Sequence, residues 1–489
     1  MKDNPNFDEL RNKRALVKNK LLVKIFSSGL QAISVQILGG VFFYFISIYI
    51  SKDEFGIISW TNAVSVFLTT ILGFGLEQVV VRRIAASKRS DWAAAAFFIH
   101  SIAGFLITFL LLLLLNGVIK SPAGIYKHLP WFFLAQGVIF IGVPLKQFLN
   151  AKEQFTPYGI IAVISNVCKI AAAWFLMTQG KLYINTVLII LICTAVFELS
   201  GLMIYLVAKT SFSFKFHFKA YVKLLKESSA QYISVIFDIS LSRMDWILLG
   251  IMTTSSVLAD YSFAYRAYEL ARLPMLIIAP IILPRFARLL SANNIIDTEY
   301  QKYIVSFNIV EIFFAASIPL MLNILWAPLL TLITNGKYGA SNSLEFLILS
   351  LCIPLQFFIN LLWSLSFGAK KYKSVSFITV VCAITNIALN LILITRFGGL
   401  GASIAFLTTT ILQAWLYYRL VRKEITKISL RPIIVFTTEA IIIYFITTRL
   451  NVHFLIQLVI AIVLYLLITV LSKQINKQHI YNFKHLLTK

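Results

Sequence analysis

The chain has 489 residues, of which 59% are hydrophobic and 13% charged, with a mean hydropathy of +0.83, whereas soluble domains are about 45–50% apolar. This composition excludes a water-soluble globular protein. It excludes an outer-membrane barrel too, because runs such as Phe105 to Leu115 and Leu458 to Leu471 are continuous where barrel strands alternate.

Apolar stretches of about 20 residues, each enough for a bilayer core of about 30 Å, recur along the whole length. They predict an all-α polytopic membrane protein of about fourteen transmembrane helices. The first 21 residues carry both signs of charge and no long apolar run, so they read as a cytoplasmic tail and the first helix as an uncleaved anchor. The predicted spans are 22–50, 56–80, 92–117, 131–150, 158–179, 186–208, 229–251, 257–284, 304–327, 343–367, 374–395, 400–420, 432–449 and 453–472.

The net charge of +24 would suggest nucleic acid in a soluble protein. Here the basic residues cluster at Lys2–Lys24, Arg82–Arg89, Lys146–Lys152, Lys209–Lys226, Arg285–Lys302, Lys370–Lys373, Arg419–Arg431 and Lys473–Lys489. These clusters fall at every second loop, the positive-inside pattern, and place both termini in the cytoplasm. Membrane lipid, not nucleic acid, is the partner they imply.

Four predicted domains follow: an N-terminal lobe over 1–208, a cytoplasmic interfacial linker over 209–228, a C-terminal lobe over 229–424, and two further helices with a tail over 425–489. The linker alternates Phe with polar residues from Ser211 and continues amphipathically to Lys226, which suits the headgroup region. A repeat offset of a little over 200 residues supports the two lobes. Phe55-Gly56 to Arg82-Arg83 is echoed by Asp260-Tyr261 to Arg285, and Ala151-Lys152 before Asn166 by Ala369-Lys370 before Asn386. Such lobes enclose a central cavity.

Ionisable residues inside spans mark pathways unless they can snorkel. The eighth span is densest, with Asp260, Arg266, Glu269 and Arg272 interleaved with Tyr261, Tyr265 and Tyr268, whose faces suit sugar stacking. Arg272 lies 13 residues before Arg285, about 20 Å from the cytoplasmic end, too deep to snorkel. An internal Arg–Glu–Arg lock on helix packing is the alternative. The seventh span adds Asp238, Arg243 and Asp245; the two carboxylates, seven apart, serve substrate binding, proton coupling or a salt bridge to the eighth span. Lys169 and Glu198 could pair across adjacent helices. His100 stands alone and reads as a packed, hydrogen-bonded side chain. Cys168, Cys193, Cys352 and Cys382 read as core packing, and neither a metal site nor a nucleotide loop nor a nucleophilic triad is evident, so no cofactor and no enzyme activity are expected.

Several stretches in order resemble the polysaccharide-transport branch of the MOP (MATE-like) superfamily, the Wzx-type O-antigen and capsule-unit flippases. They are Phe55-Gly56, Gly73-Phe74-Gly75-Leu76 and Arg82-Arg83-Ile84-Ala85; Asp245-Trp246-Ile247-Leu248-Leu249; Tyr261-Ser262-Phe263-Ala264-Tyr265-Arg266 with Leu283-Pro284; and Asn386 to Asn390 with Gly398-Gly399-Leu400-Gly401-Ala402. The chain departs from the pattern at Asp260, where Gly is usual, and at Ala230, where Pro is common.

The resemblance implies two six-helix lobes around a cationic cavity in a bacterial inner membrane. By alternating access they would move an undecaprenyl-diphosphate-linked oligosaccharide outward, with other glycan-assembly proteins as possible partners. Arg266 and Arg272, with Arg243 or Lys169, are the expected diphosphate contacts, Glu269 and Tyr265 complete the substrate set, and Asp238 and Asp245 are the coupling candidates. The rivals are a lipid II flippase, a multidrug or cation antiporter of the same fold, and a membrane polymerase or ligase of the glycan pathway.

Overall fold

The computed structural model describes residues 34–87, 91–118, 125–210, 212, 216–275, 286 and 298–488. The N-terminal tail, Leu283-Pro284 and most of the basic stretch 285–302 lie outside the described residues.

In chain order the helices are α1 (Ser34–Tyr49), α2 (Lys52–Leu72), α3 (Leu76–Ala86), α4 (Trp92–Val118), α5 (Leu129–Ala151), α6 (Phe155–Thr178), α7 (Ile184–Lys209), α8 (Phe218–Met252) and α9 (Ser255–Ala271). After the undescribed segment come α10 (Thr298–Ile333), α11 (Ser343–Gly368), α12 (Tyr372–Glu424), α13 (Arg431–Thr448), α14 (Phe454–Leu471) and α15 (Lys477–Thr488). Among the described residues there is no strand, and ten helices are long and apolar enough to cross a membrane. Eleven of the predicted spans overlap these ten helices, two of them sharing α12, and the other three overlap α1, α8 and α9, so the all-α polytopic reading stands.

Three boundaries differ from the predicted ones for backbone reasons. The span predicted over 56–80 is broken, because Phe74 (φ 49°) and Gly75 (φ 66°) are both left-handed and end α2 before α3 begins. Helix α8 starts at Phe218, so part of the segment expected as linker is helical. Helix α9 stops at Ala271, and Arg272 is its C-cap. Pro274 explains the stop, since it has no N–H to give and its ring crowds the carbonyl four residues earlier. Arg272 therefore sits at a helix break and not inside an unbroken span.

The chain divides into two compact units. The first comprises Met1–Phe45, Leu72–Val118 and Leu134–Ser229. Its core joins Leu76, Val80 and Ile84 of α3, Phe97 of α4, Phe140 and Phe148 of α5, Leu202 and Leu206 of α7 and Leu224 of α8. Ala93, Ala94, Ala95 and Ala96 are completely buried, and their small side chains let α4 approach its neighbours closely. His100 spans the break after α2, with Nε2 2.7 Å from the Leu72 carbonyl and Nδ1 2.7 Å from the Tyr221 hydroxyl. A carbonyl only accepts, so Nε2 carries the proton and Nδ1 accepts from Tyr221. His100 is thus the hydrogen-bonded histidine expected, and it satisfies a carbonyl that the break leaves free.

The second unit comprises Ile46–Ile71, Ile119–Phe133 and Ala230–Lys489. Stacked aromatics dominate its interior: Phe263 on Tyr338 with centroids 4.1 Å apart and Trp326 on Phe346 at 3.6 Å. Helix α12 is bent at Gly398 (φ 55°, ψ −129°), a conformation open to glycine, and so holds two of the predicted spans. Asn390 Nδ2 donates to Asn386 Oδ1 at 2.9 Å, which links the buried asparagines before the bend and leaves the Asn390 Oδ1 without a partner. Lys337 donates to the carbonyls of Ser47 and Ile50 at the C-terminal end of α1, where backbone acceptors have no helical partner. Burial pushes the Lys337 ammonium down to about 8, with the nearby Lys52 charge adding to the effect.

All four cysteines are free; Cys352 and Cys382 are buried as expected for core packing, whereas Cys168 and Cys193 are exposed on their helices.

A Cβ on Gly56 would collide with the backbone carbonyl of Ser255, while one on Gly117 would meet nothing within 4 Å. Overpacking against a fixed backbone costs about 1–3 kcal/mol. Gly56→Ala should therefore lower the thermal unfolding midpoint in detergent and the membrane abundance, and Gly117→Ala should leave both unchanged.

Candidate functional site

Helices α8 and α9 form an antiparallel hairpin joined at Thr253-Thr254, with the Thr254 hydroxyl accepting from the Val257 N–H at 3.4 Å to start α9. A turn this short sets residues at similar distances on either side of it opposite each other. Asp245 and Tyr261 meet in this way. The Asp245 carboxylate, 1% exposed, accepts from the Tyr261 hydroxyl through Oδ2 and from the Trp246 N–H through Oδ1 at 2.9 Å.

Further along the hairpin Glu269 serves two arginines. Arg266, one turn before it on α9, reaches Oε2 at 2.6 Å, and Arg243 on α8 reaches Oε1 at 3.7 Å. The Arg243 guanidinium also lies 5.4 Å from the Trp246 ring centre. The expected bridge between α8 and α9 is real, but it runs from Arg243 to Glu269 and not through Asp238 or Asp245. Asp238 is exposed on α8, so the two carboxylates predicted to share a face have different surroundings.

Arg272 is outside this network. Among the described residues it makes no salt bridge; its guanidinium packs 4.5 Å from the ring centre of Tyr268, and its Nε is buried without a hydrogen-bond partner. The Tyr268 hydroxyl is buried and unpartnered as well. Two donors with no acceptor thus lie side by side at the break after α9. An Arg266–Glu269–Arg272 lock does not form, because Glu269 is taken by Arg266 and Arg243.

Charge favours an anion here. Asp260 is neutralised by Lys52 at 2.6 Å and accepts from Ser341 at 2.9 Å. From 243 to 272 three guanidiniums then face two carboxylates, Asp245 and Glu269, a positive excess. Guanidinium stays charged when buried and matches oxyanions in a fork.

Tyr265 does not offer a sugar a free face. It is 3% exposed and its ring is enclosed edge-on by Trp246 at 5.7 Å, Tyr268 at 5.4 Å and Phe406 at 5.5 Å. Tyr261 and Tyr268 are completely buried too, so the tyrosines expected to stack on sugar form an aromatic core under the arginines. Lys169 belongs to the other unit, on α6, with Nζ 3.5 Å from Asn166 Oδ1. Its expected partner Glu198 is bound instead to Lys146 at 2.5 Å. Among the described residues no group of three or more His, Cys, Asp or Glu could hold a metal ion.

A family model described as "Polysaccharide biosynthesis protein" matches residues 21–290, more than half of the chain. No curated protein matches it. Solved structures with the same fold include the lipid II flippase MurJ in an inward closed conformation, at 16% identity and TM-score 0.72 over 91% of this chain and 98% of that one. An inward-facing multidrug resistance MATE family transporter of the MOP superfamily is similar at 14% identity and TM-score 0.64, over 82% of this chain and 97% of that one. A MOP superfamily transporter from Pyrococcus furiosus, described as having a binding pocket of reverse polarity, is similar at 13% identity and TM-score 0.57, over 82% and 95%. The fold is that of the MOP superfamily, as the resemblance implied.

Removing Glu269 strands two partly buried arginines, a loss of about 3–5 kcal/mol for a buried pair, whereas removing Arg272 breaks no ion pair. Glu269→Gln should therefore reduce membrane abundance and thermal stability in detergent, and Arg272→Ala should leave both close to wild type.

Proposed function

We propose that this chain, which belongs to the polysaccharide biosynthesis protein family, flips an undecaprenyl-diphosphate-linked oligosaccharide across the cytoplasmic membrane by alternating access. The observation that carries the reading is the pair of unpartnered buried donors, Arg272 Nε and the Tyr268 hydroxyl, inside a hairpin with excess positive charge.

An oxyanion supplies what these donors lack. The outer oxygens of a diphosphate accept two guanidinium hydrogen bonds at once and fit Arg272 better than a neutral sugar does. Arg266 and Arg243 stay with Glu269 and hold the hairpin together, adding long-range attraction. Direct phosphate contact by either arginine would require Glu269 to release it. Asp238 and Asp245 remain the coupling candidates of this reading. The lipid tail needs no protein cavity, because it can stay in the bilayer while the polar head crosses.

A second reading, transport of lipid II, is favoured by the likeness to MurJ. Both cargoes carry a diphosphate on a lipid, so the arginine chemistry is shared and the sugar distinguishes them. A cation antiporter fits less well, because organic cations call for unpaired carboxylates at the site, and Asp245 and Glu269 are both occupied.

In proteoliposomes containing a labelled undecaprenyl-diphosphate-linked sugar, the wild-type protein should move label between leaflets. Arg272→Ala should abolish movement at normal protein levels, and Arg272→Lys should restore a fraction of it, since an ammonium keeps the charge but not the fork. Tyr268→Phe should slow it by about tenfold, the effect of one lost hydrogen bond to a charged group. Full activity in Arg272→Ala would reject the site.

A further inference from the structure

Helix α10 carries a buried stripe, Ile304, Asn308, Glu311 and Ala315, at the three- and four-residue spacing of one helix face. Glu311 is 3% exposed, and neither of its carboxyl oxygens has a hydrogen-bond partner. Asp245 is partnered by Tyr261, Glu269 by two arginines, Asp260 by Lys52 and Glu198 by Lys146, while Glu439 on α13 leaves one buried oxygen unpartnered and Glu311 leaves both.

The elements packed against α10 are α11, α13, α14 and α15. Among the described side chains their ionisable groups are Glu345 and Cys352 on α11; Arg431, Glu439 and Tyr444 on α13; Tyr465 on α14, which donates to the Phe313 carbonyl at 2.9 Å; and Lys477, His479 and Tyr481 on α15. None of them hydrogen-bonds or ion-pairs with Glu311. Helical side chains lean toward the preceding turn, which directs the carboxyl toward Asn308. The Asn308 Oδ1 is buried and unpartnered too.

An ionised carboxylate sealed in apolar surroundings without a counter-charge is far costlier than the neutral acid. A metal cation in its place would need several oxygen ligands, and among the described residues no cluster of carboxylates or histidines offers them. Beyond Ala315, Pro319 interrupts the α10 hydrogen-bond ladder and leaves the Ala315 carbonyl without its usual donor, a point at which a helix bends.

From this geometry we infer that Glu311 is a proton-binding site of the transporter, occupied by a proton in this conformation. Bending at Pro319 admits water to the stripe, and Glu311 then gives its proton to that water and becomes a carboxylate. The acid must be protonated again before the stripe closes, which ties each conformational cycle to one proton. The transport part of this inference rests on the function proposed above; the protonation state does not.

The test has two arms. Infrared difference spectra of the purified full-length chain at neutral pH should show the carbonyl stretch of a protonated carboxyl that disappears in Glu311→Gln. In proteoliposomes with a labelled undecaprenyl-diphosphate-linked sugar, an imposed pH gradient should speed wild-type movement several-fold and leave Glu311→Gln at its gradient-free rate. Glu311→Met is a second neutral variant of similar length should the amide fail to fold. An unchanged spectrum in Glu311→Gln, or gradient-driven acceleration that survives the substitution, overturns the inference. If the wild-type protein moves no lipid under any condition, the flippase reading falls, and the proton site stands or falls on the infrared band.

Discussion

Charge inside an apolar span must be answered by charge, and in the α8–α9 hairpin Glu269 answers for two arginines at once. Its hold on Arg243 ties one helix to the other, and its hold on Arg266 uses the remaining carboxylate oxygen. With both oxygens engaged, Arg272 is left to the face of Tyr268. The same interaction that stabilises the hairpin therefore determines which arginine is available to an anion.

Helix breaks position other buried polar groups. The left-handed pair at Phe74 and Gly75 frees the Leu72 carbonyl that His100 takes up. Pro274 ends α9 and puts Arg272 at its C-cap. Gly398 bends α12 after the asparagine pair. In a bilayer, irregular backbone is tolerated where protein or cavity water can satisfy it, so such breaks and the charges beside them tend to occur together.

The spans and the concentration of charge in the eighth one were legible in the sequence, because hydropathy and the cost of burying ions are composition-level signals. The partners were harder to read. Glu269 lies among three arginines in sequence, and only the packing of α8 on α9 decides that Arg243 is chosen over Arg272. Tyr265 looked like a sugar platform because sequence shows its chemistry and not the rings of Trp246 and Phe406 that enclose it. Lys169 and Glu198 sit on adjacent helices as expected, but Lys146 comes closer to the carboxylate. Two signals were present and passed over: Pro274 two residues after Arg272, and the short Thr253-Thr254 turn that sets Tyr261 opposite Asp245.

In the proposed function the protein recognises the diphosphate and not the isoprenoid chain. Binding of undecaprenyl diphosphate, undecaprenyl monophosphate and undecaprenol to the purified wild-type chain, compared by native mass spectrometry, addresses it most directly. The diphosphate should bind tightest, the monophosphate more weakly and the alcohol least, with added salt weakening the first two. Equal retention of all three lipids would contradict it.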